Sequence, residues 1–321
     1  MDPHRVLVTY RLTAGAQKRL EALGYELDLA PPGLSRADLL SRVRGVHALM
    51  CIPADRIDTE LLDTAGNNLR VVSTNTAGYD HIDLAAARRR GIMVGHTPDA
   101  ATDAVADLAI ALIIMVLRRV PAAVAMARTG QWSPEHTMLL GHQLRDKTVG
   151  IVGLGRIGTA VMRRLTGFGV CQLLYSDRHA RPEIAMQVGA RFVDFGTLIG
   201  KSDIICICCT LNDSTRHLFT YDVFRQMKSS AVVINVARGD IIRQDDLVRA
   251  LTNRAIAGAG LDVMTPEPLP VDHDLFGFPN CVVLPHVAYA TLEAREAMCQ
   301  RCIDNVVAGL NGQPLPYSVP Y

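Results

Sequence analysis

Three side chains with complementary chemistry follow three successive apolar runs in the C-terminal half of the chain: Arg238 after AVVINVA, Glu267 after LDVMTP and His286 after CVVLP. Arginine offers a planar fork that matches a carboxylate. Histidine titrates near neutrality, and a carboxylate beside it favours the protonated ring and orients it. Together they supply what hydride addition to a keto acid requires: a cation for the substrate carboxylate, an acid for the carbonyl oxygen, and a partner that keeps the acid charged. Singly each is weak evidence, because most histidines are structural and most arginines and glutamates are solvated surface groups. The ordered set carries the information.

A second site can be read from glycine spacing. GLGRIG, at residues 153–158, directly follows the strand-like run TVGIV and opens a helical pattern, the context in which such a motif holds a dinucleotide. Gly153 permits the tight turn, Gly155 lets the backbone approach the pyrophosphate, and Gly158 allows close helix–strand packing. The helix N-terminus, at Arg156 and Ile157, offers free N–H groups to the phosphates. Asp177 stands nineteen residues beyond Gly158, at the end of CQLLYSD, where a carboxylate accepts hydrogen bonds from the adenosine ribose hydroxyls. That carboxylate repels a 2′-phosphate and favours NAD, whereas Arg178 and Arg181 offer charges that suit NADP. NAD is the expected cofactor, with NADP open.

These residues need a scaffold of strands that end at one edge. The first hundred residues alternate β-rich runs (RVLVTY, ELDLA, ALMCI, RVVSTN, IMVGHT) with helical stretches, the rhythm of a parallel α/β sheet. A long helix is expected over 102–119, ending before Pro121. A second series begins at Thr148 with TVGIVG, CQLLYSD, ARFVDF, IICICCT, AVVINVAR, AGAGLDV and CVVLPH. Strands this apolar are buried on both faces, as in doubly wound sheets. After His286 the pattern predicts a last helix, TLEAREAMCQRCIDNVVAGL. It is too isolated to be a domain, so it is expected to pack back on the N-terminal half. The reading is α/β, with two Rossmann-like, doubly wound parallel-sheet domains: 1–100 plus 287–321, and 101–286.

Composition narrows the partners. With 33 basic and 32 acidic residues the formal net charge is +1, so nucleic acid and anionic membranes have no electrostatic claim on the chain. Small-molecule partners fit better. The start, MDPHRVLVTY, lacks the features of a secretory signal, and the longest apolar run, 108–117, is about half of what a membrane span needs. A soluble, cytoplasmic protein is expected. Eight cysteines spread over 321 residues read as reduced thiols. The pairs Cys206/Cys209 and Cys299/Cys302 have zinc-ligand spacing, but one lies in an apolar strand and the other on a helical pattern, so they read as core thiols and no metal is expected.

Taken together, VGIVGLGRIG, INVARGD, AGLDVMTPEPLP and LPHVAYAT resemble, in order and spacing, the D-isomer specific 2-hydroxyacid dehydrogenases, and the resemblance covers essentially the whole chain. EPLP, the RGD of residues 238–240 and YSDRHARPE look most like the glyoxylate/hydroxypyruvate reductase branch. The resemblance implies a flavodoxin-like substrate-binding domain, a dinucleotide-binding domain and a cleft between them. It implies that Arg238 binds the substrate carboxylate, that His286 donates the proton and that Glu267 supports it. The loop TAGYD matches the family's substrate loop, which gives the backbone N–H groups of Ala77 and Gly78 to the same carboxylate. Asp262 would meet the nicotinamide carboxamide, Thr210 and Val236 would line the cofactor channel, and Ala288 would join them.

One departure from the family pattern stands beside the histidine, where Ala288-Tyr289 replaces the usual Gly-Ser. The bulky phenol is expected to narrow or reshape the pocket. The helix over 102–119 and the loop carrying Trp132 resemble the family's dimer-forming region, so a homodimer is expected. Alternatives on the same resemblance are an NAD-sensing corepressor and dehydrogenases acting on 2-ketogluconate, phosphoglycerate or phosphite.

Overall fold

The computed structural model describes residues 3–131 and 139–320, so Trp132 lies outside the described residues. All twelve β-rich runs form strands, and each joins one of two parallel sheets interleaved with helices. The chain divides into two compact units, Met1–Ala101 with Ala290–Tyr321, and Thr102–Tyr289.

In the first unit, β1 (Arg5–Val8), β2 (Glu26–Leu29), β3 (Ala48–Cys51), β4 (Val71–Thr74) and β5 (Met93–Gly95) lie in the order β2-β1-β3-β4-β5, the flavodoxin-like winding. The inner strands β3 and β4 are buried along their whole length, which is why ALMC and VVST carry no charge. The last helix, Leu292–Leu310, belongs to this unit, and its Cys299, Cys302, Ile303 and Val306 join Val6, Val8, Met50 and Val71 in one core. Arg19 ties the helix down from outside, with its guanidinium 2.7 Å from Asp304.

The second unit holds β6 (Thr148–Val152), β7 (Gln172–Ser176), β8 (Ala190–Phe192), β9 (Ile204–Ile207), β10 (Val232–Asn235), β11 (Gly258–Leu261) and β12 (Cys281–Val283). Their order is β12-β11-β10-β9-β6-β7-β8. The chain starts in the middle at β6, winds outward through β7 and β8, and returns to β9 on the other side of β6. The reversal between β6 and β9 opens a crevice at their C-terminal ends, where such sheets bind ligands. The helix Thr102–Leu117 packs against β10, β11 and the helix Arg156–Leu165. The next helix, Val120–Arg128, buries no residue although its sequence is VPAAVAMAR. Among the described residues, no single helix is long and apolar enough to cross a membrane.

Candidate active site

The glycine loop sits at the reversal point. Gly153 leaves β6 with φ 95°, and a side chain there would lie 2.6 Å from the Cα of Cys209, just past β9. Only glycine lets the two strand ends approach this closely. Gly158 packs its bare Cα against the Gly153 carbonyl, drawing the helix Arg156–Leu165 onto the sheet. Gly155, by contrast, faces open space at the head of that helix. A cradle that a Cβ would fill, at the positive end of a helix of ten residues, fits a dinucleotide pyrophosphate. Arg156 is exposed and Ile157 partly so in the first turn.

Asp177, just past β7, is tied to this loop. Its Oδ2 accepts from Leu154 N–H at 3.1 Å, its Oδ1 accepts from Arg178 N–H at 2.7 Å, and Arg181 Nε lies 3.4 Å away. The crevice's other lip carries Cys209, Thr210 and Val236. Burial pushes the Cys209 thiol up to about 12, so it stays neutral beside the Asp177 carboxylate. Thr210 is exposed at the end of β9, whereas Val236 is buried at the end of β10. The paired thiols Cys299 and Cys302 lie in the core of the other unit.

The three reactive side chains follow β10, β11 and β12. His286 Nδ1 lies 2.6 Å from Glu267 Oε2, and the other oxygen of Glu267 accepts from Met264 N–H at 2.9 Å. Burial alone would raise the Glu267 carboxyl. The His286 hydrogen bond and charge, the Met264 N–H and the Arg238 charge outweigh it and hold the group below its ordinary value. Glu267 is therefore an ionised acceptor at neutral pH. That occupies Nδ1 and leaves Nε2 as the nitrogen able to exchange a proton with a ligand.

His286 adopts the left-handed conformation, φ 54°, which a non-glycine residue holds only when its surroundings enforce it. Asp262 supplies part of the enforcement. It is 0% exposed, and its carboxylate oxygens accept from Val287 N–H at 2.8 Å and Ala288 N–H at 2.9 Å. Burial raises the Asp262 carboxyl, and those two N–H groups pull it back. Both oxygens of the residue expected at the nicotinamide carboxamide thus accept an N–H of the turn after the histidine, and Ala288 is buried with it. Tyr289 rises from the same turn, its ring edge-on to the imidazole with centroids 6.0 Å apart.

Arg238 owes its place to residues in the INVARGD run whose own roles are not legible in sequence. Asn235, fully buried at the end of β10, donates from Nδ2 to the Arg238 carbonyl at 2.9 Å and accepts from Ala237 N–H at 3.1 Å. Gly239 presses directly on the Met264 carbonyl, where a Cβ would collide with backbone. Asp240 accepts from Thr265 Oγ1 at 2.9 Å and pairs with Arg216. The Arg238 turn and the 264–267 turn are thereby locked together. The only sequence signal is an asparagine ending an apolar strand, one residue type that buried turns use.

In the first unit, the loop after β4 exposes Ala77 and part of Gly78. Among the described residues, Gly78 N–H has only a long contact, 3.4 Å, to Thr76 Oγ1.

Comparison with known proteins agrees with this geometry. Residues 110–288 match the family model described as D-isomer specific 2-hydroxyacid dehydrogenase, NAD binding domain. Glyoxylate reductase/hydroxypyruvate reductase of Mus musculus is 46% identical over 88% of this chain and 87% of its own length. The Homo sapiens protein of that name is 46% identical over 85% and 84%. Among solved structures, the NADPH-dependent glyoxylate/hydroxypyruvate reductase of Sinorhizobium meliloti, in complex with NADP and malonate, superposes with TM-score 0.87 at 34% identity, covering 99% of this chain and 97% of that one. With a dinucleotide cradle at the sheet reversal and a histidine–glutamate pair on the neighbouring strand ends, the chain belongs to the D-isomer specific 2-hydroxyacid dehydrogenases, a family of NAD(P)-dependent oxidoreductases.

Proposed function

We propose that this enzyme reduces glyoxylate and hydroxypyruvate to the corresponding 2-hydroxy acids, with NADH preferred over NADPH. The 2.6 Å contact between His286 Nδ1 and an ionised Glu267 carries the reading. The guanidinium of Arg238 holds the substrate carboxylate, and the N–H groups of Ala77 and Gly78 add hydrogen bonds to it. The nicotinamide cofactor supplies the hydride to C2 when bound. His286 Nε2 gives its proton to the carbonyl oxygen as negative charge develops there, and Glu267 keeps the ring oriented and its positive charge compensated. Asp262 acts from behind, holding the turn that presents the imidazole. Tyr289 narrows the space beside that ring and favours substrates with a small group on C2.

The substrate assignment is supported by the names of the relatives at 46% identity. The cofactor preference rests on Asp177, whose charge disfavours a 2′-phosphate even with Arg181 close by. Eight free cysteines support a reducing compartment, the cytoplasm. A homodimer is supported by the exposed apolar helix Val120–Arg128, by Leu140 at 74% exposure, and by a cavity of about 560 Å³ that Val116, Leu117, Leu140 and Phe278 help to line.

The direct test is a steady-state screen of glyoxylate, hydroxypyruvate, pyruvate and 2-ketogluconate with each reduced cofactor. The highest kcat/KM is expected for the first two with NADH. A higher value for 2-ketogluconate or pyruvate overturns the substrate, and no turnover of any of them overturns the reaction.

A further inference from the structure

The peptide between Ala77 and Gly78 carries one of the N–H groups assigned above to the substrate carboxylate, and the inference drawn here rests on that assignment. In a trans peptide the carbonyl and the N–H lie in one rigid plane and point in opposite directions, and this peptide is trans. Whatever holds the Ala77 carbonyl therefore aims the Gly78 N–H. That carbonyl meets His96, whose Nδ1 lies 2.8 Å from the Ala77 oxygen. A carbonyl oxygen only accepts, so Nδ1 carries the hydrogen and the contact is a donated bond.

His96 follows β5 directly and is itself mounted on buried structure. Its N–H donates to the Tyr317 carbonyl at 2.9 Å, and its own carbonyl accepts from Asn305 Nδ2 at 3.1 Å. Asn305, 0% exposed on the last helix, also accepts from Tyr317 N–H at 3.1 Å and donates to Ser73 Oγ at 3.2 Å. The imidazole packs edge-on against Tyr79, centroids 5.6 Å apart, so the far end of the substrate loop holds the ring as well. Gly78 N–H meanwhile keeps only its 3.4 Å contact to Thr76 Oγ1, too long to compete with a carboxylate.

We propose that His96 is a positioning residue for substrate binding: by holding the Ala77 carbonyl it aims the Gly78 N–H and sets affinity for the 2-keto acid without touching it. Three variants separate this role from packing. His96→Phe keeps a ring against Tyr79 but cannot donate. His96→Ala removes both. His96→Asn places an amide N–H the same number of bonds from Cα as Nδ1.

The expected result is a roughly three- to tenfold rise in KM for glyoxylate and hydroxypyruvate in the Phe and Ala variants, the scale of one lost hydrogen bond. Saturating kcat and NADH affinity stay near wild type, and the Asn variant recovers most of the loss. Unchanged KM in His96→Phe overturns the proposal. So does an equal loss in His96→Asn, or a parallel fall in kcat and NADH affinity, which marks a merely structural role. Turnover of glyoxylate by the wild type tests the underlying assignment separately. Where turnover is present, only the role of His96 is at stake, and where it is absent both fall.

Discussion

The left-handed backbone of His286 decides which substitution tests it. Asparagine tolerates φ near 54° far better than most side chains, so His286→Asn removes the proton donor while leaving the turn in place. Its kcat is expected to fall by at least ~10²-fold, the usual scale for a general acid, with NADH affinity little changed. Turnover near the wild-type rate would remove His286 from the mechanism.

Glu267 makes a complementary prediction through pH. Its folded value lies below the ordinary 4.5, so the unfolded chain binds more protons there. The stability it contributes is present above the ordinary value and is lost as pH falls through the lowered one. Urea midpoints of wild type should exceed those of Glu267→Gln at ~pH 7, and the gap should narrow as pH falls below the ordinary value. A gap that persists in acid contradicts the ionised partner.

Two short turns set the chemistry at the scale of elements. Gly239 lets the Arg238 turn lie against the Met264 carbonyl with no room for a methyl group. Gly239→Ala is therefore expected to cost about 1–3 kcal/mol of stability, as overpacking does. It should also lower kcat/KM for keto acids more than it weakens NADH binding, and equal effects on both would place the damage elsewhere. At the other turn, Asp177 both carries charge and accepts the Leu154 N–H at 3.1 Å. Asp177→Asn keeps an oxygen for that bond and removes the charge, together with the acceptor that meets Arg178 N–H. The kcat/KM ratio of NADPH to NADH should then rise about tenfold to a hundredfold, the worth of a charge-assisted hydrogen bond. A wild type that already strongly prefers NADPH would show that Arg178 and Arg181 dominate.

At the scale of the whole molecule, the helix Val120–Arg128 leaves Val124 at 44% exposure and buries none of its residues. A contiguous exposed apolar patch marks an interaction surface. Light scattering at micromolar concentration is expected to give twice the chain mass, and Val124→Arg should shift it toward the monomer. A monomeric wild type refutes the homodimer.

What could be read without coordinates, and what could not, divides along a physical line. Burial on both faces of a parallel sheet forces apolar, β-rich runs, so inner strands such as ALMC and IICI announce themselves locally. The edge strands ELDL and ARF are partly exposed, contrary to the burial expected of ARFVDF, because no neighbour covers a sheet's edge as its middle is covered. The glycine loop also announces itself, because its turn and its approach to phosphate exclude side chains. Arg238, Glu267 and His286 stand out because their chemistry is carried by their own functional groups.

Strand order is different: nothing within β6 or β9 says that they are neighbours, since pairing is made by backbone groups common to every residue. The same holds for residues that act through another's backbone. Asn235 on the Arg238 carbonyl, Asp262 on the N–H groups of Val287 and Ala288, and His96 on the Ala77 carbonyl are ordinary polar residues in sequence. The left-handed turn at His286 is likewise invisible, because histidine has no intrinsic preference that demands it. Only the tertiary structure, by bringing distant carbonyls and N–H groups within hydrogen-bond reach, decides what these residues hold.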